Sequence, residues 1–329
     1  MRLVTFIRDE QQTLGLCFDD VVIDLDRAYA ELKESQKIDA VLSELPTSMK
    51  QLIALEGAAG EAQKVWQYLL DGGKVSAEIS YPFDSTELAP PIPDPGKIIC
   101  LGGNYRGHCR EASAELPKNP ILFAKFRNAL LAHRKSVINP LATNKLDYEA
   151  ELVIVIGKYG KKIRPEDACD HIFGYTILND ISARDIQASD KQWIRAKSFD
   201  TFAPTGPYIV TCDEIPDPHN LAIKLILNGK VMQDSNTAEM IFKVPETVSF
   251  ISEAFPLEPG DLIATGTPEG VGAFRNPPVF LKEGDRMEVV IEKIGSLHNT
   301  VIDEKPAAQD PKTPAGHQPP EADHRNLFS

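Results

Sequence analysis

Apolar residues in this chain fall mostly into runs of four to eight, rich in Val, Ile and Leu, which is the pattern of buried or half-buried strands. Leu3–Ile7, Thr13–Phe18 and Val21–Leu25 form such a set at the N-terminus, with Asp19-Asp20 as the turn between the last two. The period then changes. From Met49 to Leu70 apolar residues recur at helical spacing, and Gly57 and Gly60 are expected to split this helix. Residues 1–82 therefore read as a small N-terminal α/β unit, a scaffold or interface element without a polar cluster of its own. Between Tyr81 and Lys97 stand five prolines, which preclude a regular helix and make 83–96 an extended connection and a domain boundary.

Strand signals resume at once. Lys97–Leu101, closed by Gly102-Gly103, is followed by Ile121–Phe126, Leu152–Ile156, Phe173–Asp180 and Tyr208–Thr211. Ile223–Leu227 and Lys230–Gln233, joined by Asn228-Gly229, carry the signal of a type I′ hairpin. Residues 165–171 resemble a helix start, and a second helix is expected after Thr247. Arg286–Ile291 is the last expected strand, with the main folded unit, 97–303, ending near Val301. The tail, 304–329, is rich in proline and polar residues and cannot bury enough surface to fold alone, so it is either disordered or laid along a neighbouring subunit.

Composition narrows the classes of function. The chain has 329 residues, 42% of them hydrophobic and 25% charged, as in ordinary globular proteins. A net charge of −13 argues against binding nucleic acid, whose phosphates require a basic face. Five widely spaced cysteines with no C-x-x-C pair indicate neither a disulfide framework nor a zinc knuckle. With no apolar stretch long enough to span a membrane and an N-terminus unlike a signal peptide, we expect no membrane association and a cytoplasmic location.

The candidate chemistry centres on Lys145-Leu-Asp-Tyr-Glu-Ala-Glu-Leu-Val-Ile-Val-Ile-Gly157. Alternation along a strand puts Glu149 and Glu151 on one face, roughly 6 to 7 Å apart. Two carboxylates beside an apolar run need a cation, either a basic side chain or Mg²⁺ or Mn²⁺, unless the strand entrance is solvated. Asp180, at the end of another strand, would complete an oxygen-rich site or would cap a helix over Ile181–Asp185. Lys125 and Lys197 are cations that either face these acids or sit in solvent. On a helix, His108 and Glu111 share a face, as a proton-transfer dyad or an incidental surface pair, in a segment whose flanking glycines and prolines suit a mobile lid. The stretch Leu262–Gly272, with Gly266 and Thr267, exposes backbone N–H groups and hydroxyls that can bind an anion but lacks a P-loop pattern.

Taken together, Gly103-Asn-Tyr-x-x-His108-x-x-Glu111, Glu149-x-Glu151, Asn179-Asp180-x-Ser-Ala-Arg-Asp185-x-Gln187, Lys197-Ser-Phe-Asp-Thr-Phe202 and Thr265-Gly-Thr-Pro-x-Gly-Val-Gly272 resemble the fumarylacetoacetate hydrolase family. The similarity runs from about Lys97 to Ile302 and is closest to the longer, mitochondrial members called fumarylacetoacetate hydrolase domain-containing proteins. It implies an α+β, mainly β protein with a mixed β-sandwich or roll catalytic domain, usually a homodimer. It further implies Mg²⁺ or Mn²⁺ held at Glu149, Glu151 and Asp180, a His108–Glu111 dyad assisted by Lys197, and substrate contacts from Gln187 and Thr267. Tyr105, Arg184 and Gly266, within these motifs, and Lys125, in the strand Ile121–Phe126, are further substrate-binding candidates. Gly103 departs from the pattern, since many members carry arginine there. The implied substrates are 2-oxo or 2,4-dioxo acids. The first expectation is hydrolysis of a carbon–carbon bond in an acylpyruvate or fumarylpyruvate-like 2,4-dioxo acid through an enolate; the alternative is oxaloacetate tautomerase or decarboxylase activity at the same site. A non-catalytic dicarboxylate-binding protein is the reading from another class.

Overall fold

The strand Ala150–Ile156 is buried at every position, and a strand enclosed on both faces must be covered twice. The computed structural model, which describes residues 1–306, supplies that cover by laying a second sheet against the first. Among the described residues the larger sheet has eleven strands. It uses β1 (Arg2–Arg8), β2 (Gln11–Phe18), β3 (Val21–Asp24), β4 (Ser80–Pro82), β5 (Ile98–Gly102), β6 (Ile121–Ala124) and the two-residue β7 (Leu130–Leu131). Apart from β8 (Ser136–Asn139), β9 (Leu146–Asp147) and β12 (Ser182–Ala183), the chain then adds β10 (Ala150–Ile156), β11 (Ile172–Asn179), β13 (Ala203–Thr211) and, later, β16 (Leu262–Ala264). The order is β4-β3-β2-β1-β13-β11-β10-β16-β5-β6, with β7 beside β13.

The second sheet is β15-β14-β17-β18-β8, built from β14 (Ala222–Leu227), β15 (Lys230–Asn236), β17 (Arg286–Ile291) and β18 (Gly295–Asp303). Its strands pack on β10, β11 and β13, so the centre of the sandwich lies between them. Both sheets are mixed, with parallel β16–β5 and β18–β8 pairs among antiparallel ones. This is the α+β, mainly β sandwich expected. No helix among the described residues is long and apolar enough to cross a membrane.

The N-terminal strands continue the larger sheet. Arg2 pairs with Val210 and Leu3 with Ile209, and the N-terminal amine donates to Thr211 Oγ1 at 2.6 Å. The proline-rich connection is extended and hydrogen-bonds to β1 through Ile7 N–H to Glu87 O at 2.8 Å and Ala89 N–H to Thr5 O at 2.9 Å. Residues 1–82 are thus joined to the rest by β1–β13 pairing as well as by the linker.

Several element boundaries differ from the pattern reading. Val21–Leu25 is a strand only to Asp24, whose side chain caps an unforeseen helix, α1 (Leu25–Glu34). The helix at 49–70 does split, into α2 (Met49–Ala54) and α3 (Ala58–Leu70), but only at Gly57, which adopts φ +83; Gly60 lies inside α3. Residues 165–171 form a 3₁₀-helix. The remaining helices are α4 (Arg106–Glu111), α5 (Arg184–Asp190), α6 (Ile194–Lys197) and α7 (Val244–Ala254), the last beginning before Thr247 with Pro245 in its first turn. The last strand among the described residues is β18 rather than Arg286–Ile291, because alternating Leu297, Asn299 and Val301 turn inward beside β17. The tail beyond residue 306 lies outside the described residues.

His133 is 4% exposed where the linker meets β18, between the rings of Phe83 (5.9 Å) and His298 (5.4 Å), and its Nδ1 accepts from His298 N–H at 3.1 Å. Burial, with Arg134 and His298 nearby, brings its pKa down from 6.5 to about 3. The unfolded chain therefore takes up a proton at this imidazole before the folded one does, and stability falls as pH drops from about 6.5 towards 3, by up to about 1.4 kcal/mol per pH unit. Urea unfolding at pH 7 and pH 5 checks this: the parent loses stability on acidification, and His133→Gln shows a shallower loss.

Candidate active site

The pairing of β10 with β11 gathers three acids. Ala150 lies opposite Asn179, so Asp180, one residue past β11, stands beside Glu149, one residue before β10. Asp180 N–H donates to Glu149 O at 2.8 Å, and Glu149 N–H to Asn179 Oδ1 at 3.0 Å, which closes the corner. Glu151 follows on the same face as Glu149. One carboxylate oxygen from each of Glu149, Glu151 and Asp180 lies within 4.8 Å of the others, and all three residues are buried. The helix-cap alternative for Asp180 fails, because Ile181 leads into β12 and α5 begins only at Arg184.

Basic side chains surround the acids. Lys197 Nζ lies 2.8 Å from both Glu149 Oε2 and Asp180 Oδ2, Lys125 Nζ 2.5 Å from Asp180 Oδ1, and Arg184 Nη1 2.7 Å from Glu149 Oε1. Both lysines are buried, which settles them as partners of the acids rather than solvated groups. At Glu149 burial pushes the pKa up, but Lys197 and Arg184 outweigh it and bring the group down to about 2. Burial alone would lower Lys197, yet Asp180 and Glu149 hold it above its ordinary value; at Lys125 burial wins and the value falls. Glu151 has no such cation. Burial, then Asp180 and Glu149, push it well above the usual carboxylate range, and its Oε1 is buried with no hydrogen-bond partner.

That orphaned oxygen tests whether a metal suits these residues. With Asp147, four buried carboxyl groups face the three cations Lys125, Lys197 and Arg184, so Glu151 is the one left without a countercharge and its Oε1 is an unpaired acceptor. Three hard oxygen donors from two strand ends are the donor set of Mg²⁺ or Mn²⁺, and such an ion would give Glu151 Oε1 the partner it lacks. The acids fit a divalent cation.

The loop after β16 organises the remaining groups. Gly266 N–H donates to Glu151 Oε2 at 2.9 Å, Gly270 N–H to Glu111 Oε2 at 2.8 Å, and Gly272 and Ala273 N–H to Asp147 at 2.8 and 2.9 Å. The loop does bind anions, as its sequence suggested, but the anions are the protein's own carboxylates. Gly266 adopts φ +89, and a Cβ added there would lie 2.9 Å from Asn104 Cβ, so a larger residue is disfavoured both by backbone and by space. On α4, His108 Nδ1 is 2.8 Å from Glu111 Oε1, so dyad and loop are tied together through Glu111.

Of the other sequence candidates, His108, Arg184, Gln187, Lys197 and Thr267 line an inner chamber of about 50 Å³ beside Glu149. Arg184 Nη2 is buried there and unpaired. Gly103 borders it with φ +62. Tyr105 is fully buried behind α4, Lys125 sits behind Asp180, and Gly266 spends its N–H on Glu151, so none of these three lines the chamber.

Sequence reasoning passed over Asp147 and Gln233. Asp147 also accepts from Arg184 Nε at 2.8 Å, and fully buried Gln233 binds Ala150 N–H, Thr267 Oγ1 and Pro268 O at 2.9, 2.8 and 2.8 Å. Asp147 had a signal, since it precedes Glu149 by two in the same acidic stretch. Gln233 had none, because it comes from the second sheet.

The fumarylacetoacetate (FAA) hydrolase C-terminal family matches residues 97–302, a span that contains every residue of this site. Oxaloacetate tautomerase FAHD2A, a Bos taurus protein named as mitochondrial, is 48% identical over 214 residues, 64% of this chain and 68% of that protein. The expected cytoplasmic location gains no support from it. A Dictyostelium discoideum fumarylacetoacetate hydrolase domain-containing protein 2 homolog is 39% identical over 315 residues, 92% of this chain and 97% of its own. The crystal structure of maleylpyruvate hydrolase from Sphingobium sp. SYK-6, in complex with manganese(II) and pyruvate, is 31% identical with a TM-score of 0.72, covering 93% of this chain and 100% of that one. Shared sequence across the whole sandwich, with the acids, dyad and glycine loop inside the matched span, makes this chain a member of the fumarylacetoacetate hydrolase family.

Proposed function

We propose that the protein is a divalent-metal enzyme acting on 2-oxo acids and that its reaction is keto–enol tautomerisation of oxaloacetate. The observation that carries this is the convergence of Glu149, Glu151 and Asp180 within 4.8 Å, next to a chamber reached by His108 and the unpaired Arg184 Nη2. Similarity to the bovine oxaloacetate tautomerase selects the reaction, ahead of the hydrolysis expected first from the sequence.

Glu149, Glu151 and Asp180 would hold Mg²⁺ or Mn²⁺, which supplies a Lewis acid for negative charge on the 2-oxo oxygen. Arg184 Nη2 donates to the substrate carboxylate, an acceptor matched to its planar fork. Lys197, fixed by Glu149 and Asp180 and 5.2 Å from the Phe123 ring centroid, keeps positive charge beside the oxygen that becomes enolic. His108 donates its Nδ1 proton to Glu111, which leaves Nε2 free to take a proton. In the keto-to-enol direction Nε2 removes a proton from C3 and the resulting imidazolium passes it to the enolate oxygen; in reverse Nε2 takes the enol proton and delivers it to C3, so no net proton is gained or lost.

Hydrolysis is the second reading, favoured by the maleylpyruvate hydrolase similarity over 93% of the chain. There the same imidazole would activate water against a 4-oxo carbon, releasing pyruvate. Decay of enol-oxaloacetate absorbance and pyruvate release from 2,4-dioxo acids, each assayed with Mn²⁺ and with EDTA, separate the two. Absence of metal-dependent turnover in both assays would sink the enzymatic reading.

Two sets of variants follow. Glu149→Gln should lose Mn²⁺ binding by calorimetry, whereas His108→Ala should bind Mn²⁺ normally and lower kcat by about 10²- to 10⁴-fold. A His108→Ala enzyme as fast as the parent removes the dyad from the mechanism. Asp147→Asn keeps the size of a group that touches no substrate but weakens its hold on Arg184 and the glycine loop. We expect about a 10- to 100-fold loss in activity or metal affinity together with a lowered melting temperature, because the buried Arg184 loses a countercharge.

A further inference from the structure

The inner chamber opens, past Gly103, His108, Arg184, Gln187 and Trp193, into a larger one of about 520 Å³. Their walls differ in kind. The inner wall is charged, whereas the outer is mostly hydrocarbon and aromatic: Ala112, Pro117, Ile121, Ala188, Trp193 and Phe274. Trp193 is held edge-on to Phe123 at 5.4 Å and against Gly102, so this wall is a built surface. At the rim, Ile121 and Phe274 are 46% and 48% exposed, large apolar groups that a solvent-filled entrance would not need.

Charge sharpens the contrast. Among the described residues Arg184 is the one arginine or lysine lining the outer chamber; its Nε and Nη1 are engaged by Asp147, Glu149 and Gln187, so Nη2 remains for a single carboxylate. The other full charge on that wall is Glu115, an acid. A second carboxylate at the far end of a substrate would meet Glu115 and hydrocarbon, with no lysine or arginine of the described residues beyond Arg184 to receive it.

Resting on the 2-oxo acid reading of the inner site, we propose that the outer chamber is a subsite for an apolar tail. The protein then accepts, besides a small acid such as oxaloacetate, 2-oxo acids whose chain beyond C4 is an alkyl or aryl group, in preference to equally long ones ending in a second carboxylate. The head is held at Arg184 and the metal-binding acids, and the tail lies between Trp193 and Phe274.

The test uses the full chain with Mn²⁺ and measures inhibition constants against enol-oxaloacetate turnover, with binding by calorimetry in parallel. The probes are oxalate, a series of acylpyruvates from acetyl to octanoyl, and a 2,4-dioxo acid of hexanoyl length ending in carboxylate. We expect the inhibition constant to fall about two- to fourfold per added methylene until the chamber is filled. The carboxylate-ended member should bind at least tenfold more weakly than its alkyl counterpart. Ile121→Asn, a change at the exposed rim, should weaken the octanoyl member several-fold and leave oxalate unaffected. If oxalate binds but the acyl series is flat, as when a second copy of the chain covers the apolar wall, or if the carboxylate-ended acid binds as well as the alkyl one, the subsite is refuted while the 2-oxo acid reading stands. If neither oxalate nor any 2-oxo acid binds, both fall.

Discussion

Burying several carboxylates in one place is the constraint on which this structure depends. An unpaired ionised carboxylate in a protein interior costs several kcal/mol, so each buried acid here has to find a cation or an N–H group. Asp180 has Lys125 and Lys197, Glu149 has Lys197 and Arg184, and Asp147 has Arg184 and three backbone amides. Glu151 has one amide and an empty-handed oxygen. The imbalance falls at the place where a divalent ion would remove it. Removing a single partner from such a set leaves an uncompensated charge rather than a mild defect.

The glycine loop after β16 shows how one segment can serve three acids. Glu151 belongs to the proposed metal site, Glu111 to the dyad and Asp147 to the Arg184 support, yet all three accept from backbone N–H groups between Gly266 and Ala273. Backbone donors carry no side-chain entropy, so they fix the acids at little ordering cost. The loop therefore couples the position of α4 to that of the acidic strand ends, and the segment expected to act as a lid is tied down through Glu111.

The sandwich supplies the rigidity for this arrangement. β10 and β11 lie in the interior of the large sheet and are covered by β14, β17 and β18, so the two strand ends that bear the acids cannot move apart without breaking ladders on both sides. The N-terminal strands extend the same sheet through β1 and β13 rather than forming an isolated body. A reading from composition divides the chain at the prolines, whereas the hydrogen bonds run across that division.

The sequence by itself determined the local elements and the chemistry on offer. Strand periods, the Asn228-Gly229 turn, the Glu149–Glu151 face and the His108–Glu111 spacing are set within a few residues, where alternation and helical pitch are enough. Motif order across separate segments further pointed to the family. Only the tertiary structure decided which partners the acids have. Whether Lys125, Lys197 and Arg184 faced solvent or the acids depended on how β6, α5 and α6 pack around the ends of β10 and β11, and Asp180 could be told from a helix cap only once Ile181 was seen entering β12. Gln233 reaches Thr267 from another sheet, and the outer chamber is walled by residues from four segments. Such contacts join positions far apart in the chain, and their energies depend on distance and burial, quantities that periodicity does not encode.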